Sequence, residues 1–164
     1  MEHQDGQKSY LAFKLGKETF ASNVNKVLSI VEVPKITKMP QTPDYMVGVM
    51  NLRGEVIPVI DSRIKFGMEP AEITTNTCVL ILEIELENRQ TKIGALVDSV
   101  EEVLEIDEDS IKPSPLIGTK YSTVFITGMV QKNEGFIMIL NVDNVFTDNE
   151  IISLQHHLEL VEEC

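Results

Sequence analysis

The 164-residue sequence contains no tryptophan, and aromatic residues make up only 5% of it. Valine, isoleucine, leucine and methionine must therefore fill the core of a chain that is 43% hydrophobic and long enough to bury one. No apolar run reaches about 18 residues, the length needed for a membrane-spanning helix. The polar residues 1–10 lack the basic and apolar regions of a signal peptide. These absences predict a cytoplasmic protein without direct membrane insertion.

Cysteine and histidine are also scarce. Cys78 opens an apolar run and Cys164 is the last residue, so a disulfide framework is not expected. The histidines lie outside the strand-rich part of the chain: His3 near its start, and His156 and His157 near its end. Catalysis by a nucleophile and a base usually needs a histidine among residues that can meet, and no glycine-rich nucleotide-binding pattern occurs. The sequence therefore predicts no enzyme, no cofactor and no metal site.

Basic residues are outnumbered by acidic ones. The 14 lysines and arginines stand against 26 aspartates and glutamates, which gives a formal net charge of −12. Because nucleic-acid affinity depends largely on Lys and Arg contacts to phosphates, nucleic acid is not an expected partner. The scarcity of aromatic residues also argues against an oligonucleotide-binding barrel. The expected partners are proteins or small cations.

The sequence is rich in strand patterns. Four pairs of apolar segments flank short polar tips, and each pair predicts a β-hairpin. The pairs and their tips are 10–15 and 19–21 around 16–17, 47–50 and 56–60 around 51–55, 78–86 and 91–98 around 87–90, and 125–131 and 136–140 around 132–135. Polar connectors at 67–76 and 107–123 separate the hairpins into groups. We predict a mainly β fold of two small barrel lobes that share an apolar core and divide near 67–76.

Helix signals are few. Asp61 can cap a short helix over residues 62–66, which Gly67 would end. Residues 147–150 fit a capping box. The apolar residues that follow have the spacing of one helix face: Ile151, Leu154, Leu158 and Val161. We expect a short C-terminal helix over 149–164 that packs on the β body, with packing on a partner as the alternative.

The most acidic segment, DSVEEVLEIDED at residues 98–109, has two interpretations. It lacks the glycine and glutamate spacing of an EF-hand calcium loop. We favour a solvated edge strand in which Val100, Val103 and Ile106 face inwards, since charges along an edge discourage unwanted strand pairing. The alternative function is a stand-alone acidic cation-binding β protein, or an enzyme, that uses these carboxylates.

The segment VGVMNLRGEVIPVIDSRIKFG, residues 47–67, places a single arginine at the tip of the second hairpin. Gly54 can adopt the positive φ of a turn, which leaves the side chain of Arg53 free. Pro58 cannot donate to a strand ladder, so its strand should lie at an edge or carry a bulge. Taken alone, the arginine is better explained as an exposed hairpin charge without consequence than as part of a site.

This segment resembles the signature of the CheW family. The matching pattern is Gly-Val-x-Asn-Leu-Arg-Gly-x-x-Ile-Pro-Val-Ile-Asp-x-Arg at residues 48–63. Other parts of the family pattern follow in the same order: the hairpin at 13–20, Val27-x-x-Ile30, residues 36–40, and Gly94-x-x-Val97-Asp98-x-Val100-x-x-Val103. The resemblance spans roughly residues 8–148.

The resemblance implies a fold and a function. The fold would be two SH3-like β-barrel lobes closed over a shared core, in a single CheW-like domain over 8–148 with the chain crossing between the lobes. The function would be that of a non-enzymatic adaptor that couples transmembrane chemoreceptors to the CheA histidine kinase in bacterial chemotaxis. Its partners would be the regulatory domain of CheA, itself CheW-like, and the cytoplasmic helical tip of methyl-accepting chemoreceptors. The adaptor would be cytoplasmic and recruited to membrane receptor arrays.

The resemblance also implies site residues. Arg53 would lie at the rim of an apolar groove in which the receptor helix docks. The turn that carries Arg53 would be shaped by Asn51, Leu52 and Gly54. The other receptor-binding candidates would lie on or near that groove: Val27, Ser29, Ile30, Gly48 and Val103. Ser29 departs from the family pattern, since many members carry an acidic residue there.

If the C-terminal helix packs on the β body, we expect Leu154→Ala to lower the free energy of unfolding by roughly 2–5 kcal/mol, the usual cost of truncating a buried leucine. Denaturation in urea, followed by circular dichroism, measures the loss. Gln155→Ala, at the adjacent polar position, is the control. A loss below about 0.5 kcal/mol for Leu154→Ala would mean that the helix face is exposed or frayed.

Overall fold

A computed structural model describes residues 7–70, 72–86, 88–112, 126–133 and 135–145. Over this part of the chain, ten strands form: β1 (Gln7–Leu15), β2 (Glu18–Asn23), β3 (Val27–Glu32), β4 (Met46–Leu52), β5 (Glu55–Asp61), β6 (Cys78–Leu86), β7 (Arg89–Val97), β8 (Ser99–Asp107), β9 (Ile126–Lys132) and β10 (Gly135–Leu140). The helices described are α1 (Ser62–Lys65) and α2 (Val142–Val145), with single 3-10 turns at Val24–Lys26 and Glu108–Ser110. The helix predicted over 149–164 lies outside the described residues.

All four predicted hairpins are present, as β1–β2, β4–β5, β6–β7 and β9–β10. A residue with positive φ lies at each tip: Gly16 at 62°, Gly54 at 89°, Asn88 at 64° and Asn133 at 56°. Glycine and asparagine adopt this conformation with little steric cost, and tight hairpin turns require it. The turn chemistry written in the sequence therefore accounts for the hairpins, and the mainly β fold is confirmed.

The strands form two five-stranded sheets. Sheet A has the order β8-β1-β2-β10-β9, and sheet B has the order β3-β6-β7-β5-β4. In each sheet a parallel pair joins two otherwise antiparallel units, β2 with β10 in sheet A and β5 with β7 in sheet B. The two sheets correspond to the two predicted lobes.

The chain passes between the sheets at two described places. One is the 3-10 turn Val24–Lys26, between β2 and β3, and the other is the single residue Asp98, between β7 and β8. The connector at 67–76, where the sequence suggested the division between lobes, instead separates two strands of the same sheet, β5 and β6. That boundary is wrong because polar composition marks where a chain leaves a sheet, and does not reveal the sheet to which it returns.

A large apolar cluster lies between the two sheets and receives side chains from both. Its aromatic centre is Phe20, which is fully buried and stacks between Phe13 and Phe66, with ring centroids 6.2 and 5.3 Å away. Stacked rings at these separations add favourable contacts beyond the area that they bury. The predicted shared core is therefore present, and with Tyr45 it includes four of the few aromatic residues in the chain.

Each sheet also encloses a smaller apolar cluster of its own. In sheet B, Val31 of β3 and Met50 of β4 pack into one cluster although these strands occupy opposite ends of the sheet order. In sheet A, Ile106 of β8 and Val130 of β9, again the two end strands, pack into one cluster. End strands that share one cluster require a strongly curled sheet, which is the barrel-like curvature expected of the lobes.

Helix α1 forms where the sequence predicts it. The Asp61 carboxylate caps it by accepting hydrogen bonds from the N–H groups of Arg63 at 2.9 Å and Ile64 at 3.5 Å. Gly67 follows the helix with φ of 82°, a conformation typical of residues just after a helix end. The cap places Arg63 at the start of a helix that directly follows β5.

Pro58 lies inside sheet B, because β5 has β7 on one side and β4 on the other. The parallel pairing of β5 with β7 begins only at Val59. Pro58, which has no backbone N–H, therefore precedes the paired residues. The ladder with β4 shifts register between Met46 and Gly48. The edge position considered from sequence is therefore wrong, while a bulge does occur, in the neighbouring strand.

Gly48 is buried where residues 36–37 cross β4. Thr37 and Val49 exchange both backbone hydrogen bonds, with N···O distances of 2.9 and 2.8 Å. A Cβ atom at position 48 would lie 2.3 Å from the carbonyl oxygen of Thr37, and φ at this position is 155°. Only glycine permits the two backbones to approach so closely. This crossing covers part of the outer edge of β4.

We expect Gly48→Ala to lower the free energy of unfolding by about 3 kcal/mol or more, since its methyl group would overlap a backbone carbonyl that is held by hydrogen bonds. Gly54→Ala is the matched control. Gly54 also has positive φ, but nothing lies within 4 Å of its added Cβ, so only strain of about 1 kcal/mol is expected. Urea denaturation measures both losses, and equal losses would contradict the steric explanation for Gly48.

Candidate functional site

Arg53 and Gly54 form the two-residue tip of the β4–β5 hairpin. Both have positive φ, 52° and 89°, which is the signature of a type I′ turn. The side-chain oxygen of Asn51 accepts a hydrogen bond from the N–H of Gly54 at 3.0 Å and closes the turn. Arg53 is exposed and forms no ion pair with another described residue. The tip therefore presents an unpaired cation on a tight turn.

The base of this tip is anchored to sheet B. Leu52 is half-buried and packs against the cluster that includes Met50 and Ile57. On the other strand, Glu55 forms an ion pair with Lys92 of β7 at 2.5 Å. These contacts anchor both strands next to the tip. A partner that binds the guanidinium would not have to order the turn as well.

Strand β3 forms an edge of sheet B and pairs only with β6. Side-chain exposure alternates along it: Val27 and Ser29 are half-buried, while Leu28 and Ile30 are each 45% exposed. Val27 packs against the shared core. Exposed aliphatic side chains on an edge strand make β3 a candidate surface for a protein partner.

Leu28 is absent from the residues predicted by sequence. The ladder between β3 and β6 shifts register between Val27 and Ser29, so Leu28 is the extra residue of a bulge. Its exposure could not be read from residue spacing, because a bulge interrupts the regular alternation of side chains along a strand.

Two of the predicted site residues lie apart from the exposed surface of sheet B. Gly48 belongs to sheet B but is buried under Thr37, so its role is to let the two backbone segments pack closely. Val103 belongs to β8 in sheet A and is 57% exposed. The expectation that Val103 faces inwards is wrong, because Leu104 and Ile106 of the same strand pack into the cluster of sheet A, and alternation turns Val103 to the opposite face. The other candidates on sheet B are Arg53, Val27, Ser29 and Ile30.

The acidic segment forms an edge strand, as predicted. In β8, Ile106 is buried and Val100 packs against the shared core. The carboxylate of Glu102 pairs with Lys132 at 3.0 Å, and that of Glu105 accepts a hydrogen bond from the Ser9 hydroxyl. These carboxylates are therefore engaged singly by neighbouring strands.

The end of the acidic segment is arranged in the same way. Asp107 caps the following 3-10 turn, and Glu108 pairs with Lys8 at 2.8 Å. The hydrogen bond from Lys8 to Glu108, together with the attraction of its charge, raises the pKa of Lys8. Among the described residues, no group of three or more His, Cys, Asp and Glu side chains is placed to hold a metal ion. The geometry gives no support to the cation-binding alternative.

None of the described helices is long and apolar enough to cross a bilayer.

The family model described as the CheW-like domain matches residues 9–150. The chain is 31% identical over 145 residues to a probable chemotaxis protein CheW of Rhizobium etli, covering 88% of this chain and 91% of that protein. It is 32% identical over 144 residues to the chemotaxis protein CheW of Bacillus subtilis, covering 88% and 89%.

The fold also has a counterpart among solved structures. The crystal structure of the scaffolding protein TtCheW from Thermoanaerobacter tengcongensis superposes with a TM-score of 0.79 at 33% sequence identity. The match covers 92% of this chain and 94% of that one. With the family model covering most of the sequence, this chain belongs to the CheW family of non-enzymatic chemotaxis scaffold proteins.

Proposed function

We propose that this protein is the adaptor that couples transmembrane chemoreceptors to the CheA histidine kinase in bacterial chemotaxis. The observation that carries the proposal is the combination, on sheet B, of the exposed Arg53, which has no ion-pair partner among the described residues, and the exposed aliphatic edge of β3. This combination suits recognition of another protein. Membership of a family of chemotaxis scaffolds supplies the class of partner.

The first partner in this proposal is the cytoplasmic helical tip of a methyl-accepting chemoreceptor. An amphipathic helix can lay its apolar face against Ile30 and Leu28, the two exposed aliphatic side chains of β3. Arg53 can rest its aliphatic stem on the same helix and donate hydrogen bonds to carboxylates or carbonyl groups. Because signalling contacts often bury limited area, the arginine would mainly set the orientation of the helix.

The other predicted residues take supporting roles in this proposal. Val27 and Ser29 shape the floor from which Ile30 projects, since both are half-buried on the same strand. Gly48 keeps the crossing segment 36–37 in place against β4. Val103 would extend the apolar contact from sheet A.

The second partner in this proposal is the regulatory domain of CheA, itself CheW-like. An adaptor must hold both partners together, so the kinase needs a surface distinct from the one that binds the receptor. Sheet A offers a large exposed apolar side chain, Phe136 of β10, at 56% exposure. The adaptor would act in the cytoplasm and be recruited to receptor arrays at the membrane.

Co-sedimentation tests the adaptor role directly. Purified protein is mixed with receptor-bearing membranes and purified CheA, and kinase recovery in the membrane pellet is measured with and without the protein. We expect the protein to increase the recovery of CheA, since a single scaffold would bind both. Binding to neither partner in separate titrations would overturn the proposed function.

For the receptor site, we expect Arg53→Glu to raise the dissociation constant for receptor roughly thirtyfold, equivalent to about 2 kcal/mol. The variant replaces a donor of hydrogen bonds with a charge of opposite sign. Its free energy of unfolding should stay within about 0.5 kcal/mol of the parent, because the residue is exposed. Titration of receptor-bearing membranes with labelled protein measures the affinity.

Lys17→Glu is the matched control for this titration. Lys17 is also exposed, lies at the tip of the β1–β2 hairpin in sheet A, and undergoes the same change of charge. We expect its dissociation constant to stay within a factor of about two, because a distant surface charge is screened by salt. Equal weakening by both variants would indicate a general charge effect, and normal binding by Arg53→Glu would remove the arginine from the site.

A further inference from the structure

The passage from sheet B to sheet A is a single residue, Asp98, between the last residue of β7 and the first residue of β8. A link of one residue has only two soft backbone dihedrals with which to set the direction of the next strand. The apolar cluster between the sheets holds them together. Hydrophobic attraction is non-directional, however. Burial alone therefore favours contact between the sheets more strongly than it favours one angle between them.

Asp98 is bound to both sheets. Its N–H donates to the carbonyl oxygen of Lys14 at 3.0 Å. Its Oδ2 atom accepts from the N–H of Gly16 at 2.6 Å, which ties it to the β1–β2 hairpin of sheet A. The same oxygen accepts from Nη1 of Arg63 at 2.7 Å, in the helix that follows β5 of sheet B. One carboxylate oxygen therefore joins the two sheets at the point of crossing.

Arg63 is itself held in place. Its backbone N–H donates to the capping carboxylate of Asp61, and its Nε donates to the carbonyl oxygen of Glu69 at 2.9 Å. The side chains of Arg63 and Asp98 are only 22% and 24% exposed. Charge-assisted hydrogen bonds with fixed donors are short and directional. The Arg63–Asp98 pair therefore restricts orientation as well as separation.

The other crossing carries a similar connection. Lys26, in the turn that leads from β2 into β3, pairs with Asp143 Oδ2 at 2.9 Å. The Oδ1 atom of Asp143 accepts from the backbone N–H of Glu85 in β6 at 3.1 Å. Asp143 lies in α2, directly after β10 of sheet A, whereas β6 belongs to sheet B. Each crossing thus has a carboxylate that joins elements of both sheets.

We propose that Asp98 and Asp143 form two clamps, with Arg63 and Lys26 as their cationic partners, that fix the angle between the two sheets. The remaining ion pairs between described residues join strands of one sheet or a strand to its adjoining turn, as in Lys92–Glu55 and Lys132–Glu102. The two clamps differ from these pairs because they span the crossings. If the receptor binds mainly on sheet B and the kinase on sheet A, as in the proposed function, the clamps set the angle at which the two partners are held.

Spin-label distance measurement tests the clamps in the full chain without any partner. Labels are attached at Glu101→Cys in β8 and Glu32→Cys in β3, two exposed positions on different sheets. The native cysteines are replaced by alanine. We expect the distance distribution to be narrow in this parent protein. Removing both cations, by Arg63→Met with Lys26→Met, should widen it about twofold or more, because several sheet orientations become populated.

Lys92→Met is the matched control, since it removes the cation of an ion pair that lies within sheet B. Its distribution should equal that of the parent. An unchanged distribution in the folded double variant, or equal widening by Lys92→Met, would overturn the proposal. If variants at Arg63 do not fold, Lys26→Met decides alone: widening supports the clamps, and an unchanged width overturns them. Partner binding does not enter the readout, so the result is independent of the proposed function.

Discussion

The alternation of side chains between two apolar clusters is the constraint on which the rest of the structure depends. Along β6, Leu80, Leu82 and Ile84 enter the cluster between the sheets, while Val79 and Ile81 enter the cluster enclosed by sheet B. Strand β10 divides its residues in the same way between the shared cluster and that of sheet A. Strands buried on both faces need continuous apolar sequences, which explains the unbroken apolar runs at 78–82 in β6 and 136–140 in β10.

Burial on both faces also limits where a partner can bind. Stretches of strand that are buried on both faces leave no surface for another protein, so the available surfaces are edge strands, hairpin tips with the strand ends beside them, and loops. Ile30 on an edge and Arg53 on a tip are both in such places. A scaffold of this design can keep its core unchanged while its edges are adapted to different partners.

The sequence contains enough local information to predict the hairpins, because glycine and asparagine mark the turns and β-branched residues mark the strands. It does not contain local information about the parallel pairings, in which Thr19 meets Ile137 and Val59 meets Gly94. Local sequence does not explain the glycine at position 48 either, since the carbonyl oxygen that a side chain would strike belongs to Thr37, across a loop. The exposure of Val103 follows from strand alternation, since Leu104 and Ile106 of β8 face the cluster of sheet A, whereas the spacing of three between Val100, Val103 and Ile106 suggested one common face. Arg53 could be placed at a tip from its turn, whereas its unpaired state required the surrounding side chains.

The strand order has a consequence for synthesis on the ribosome. Sheet B uses one continuous stretch of chain, from β3 to β7, so it can be completed soon after Val97 emerges. Sheet A can be completed only later, because β1 and β2 are synthesised first and the other strands of the sheet, β8, β9 and β10, are synthesised last. An isolated two-stranded hairpin is marginally stable in water, and long-range strand pairing slows folding. Until β10 is made, the outer edge of β2 stays open to other nascent chains, and the cell must protect it from aggregation during this interval.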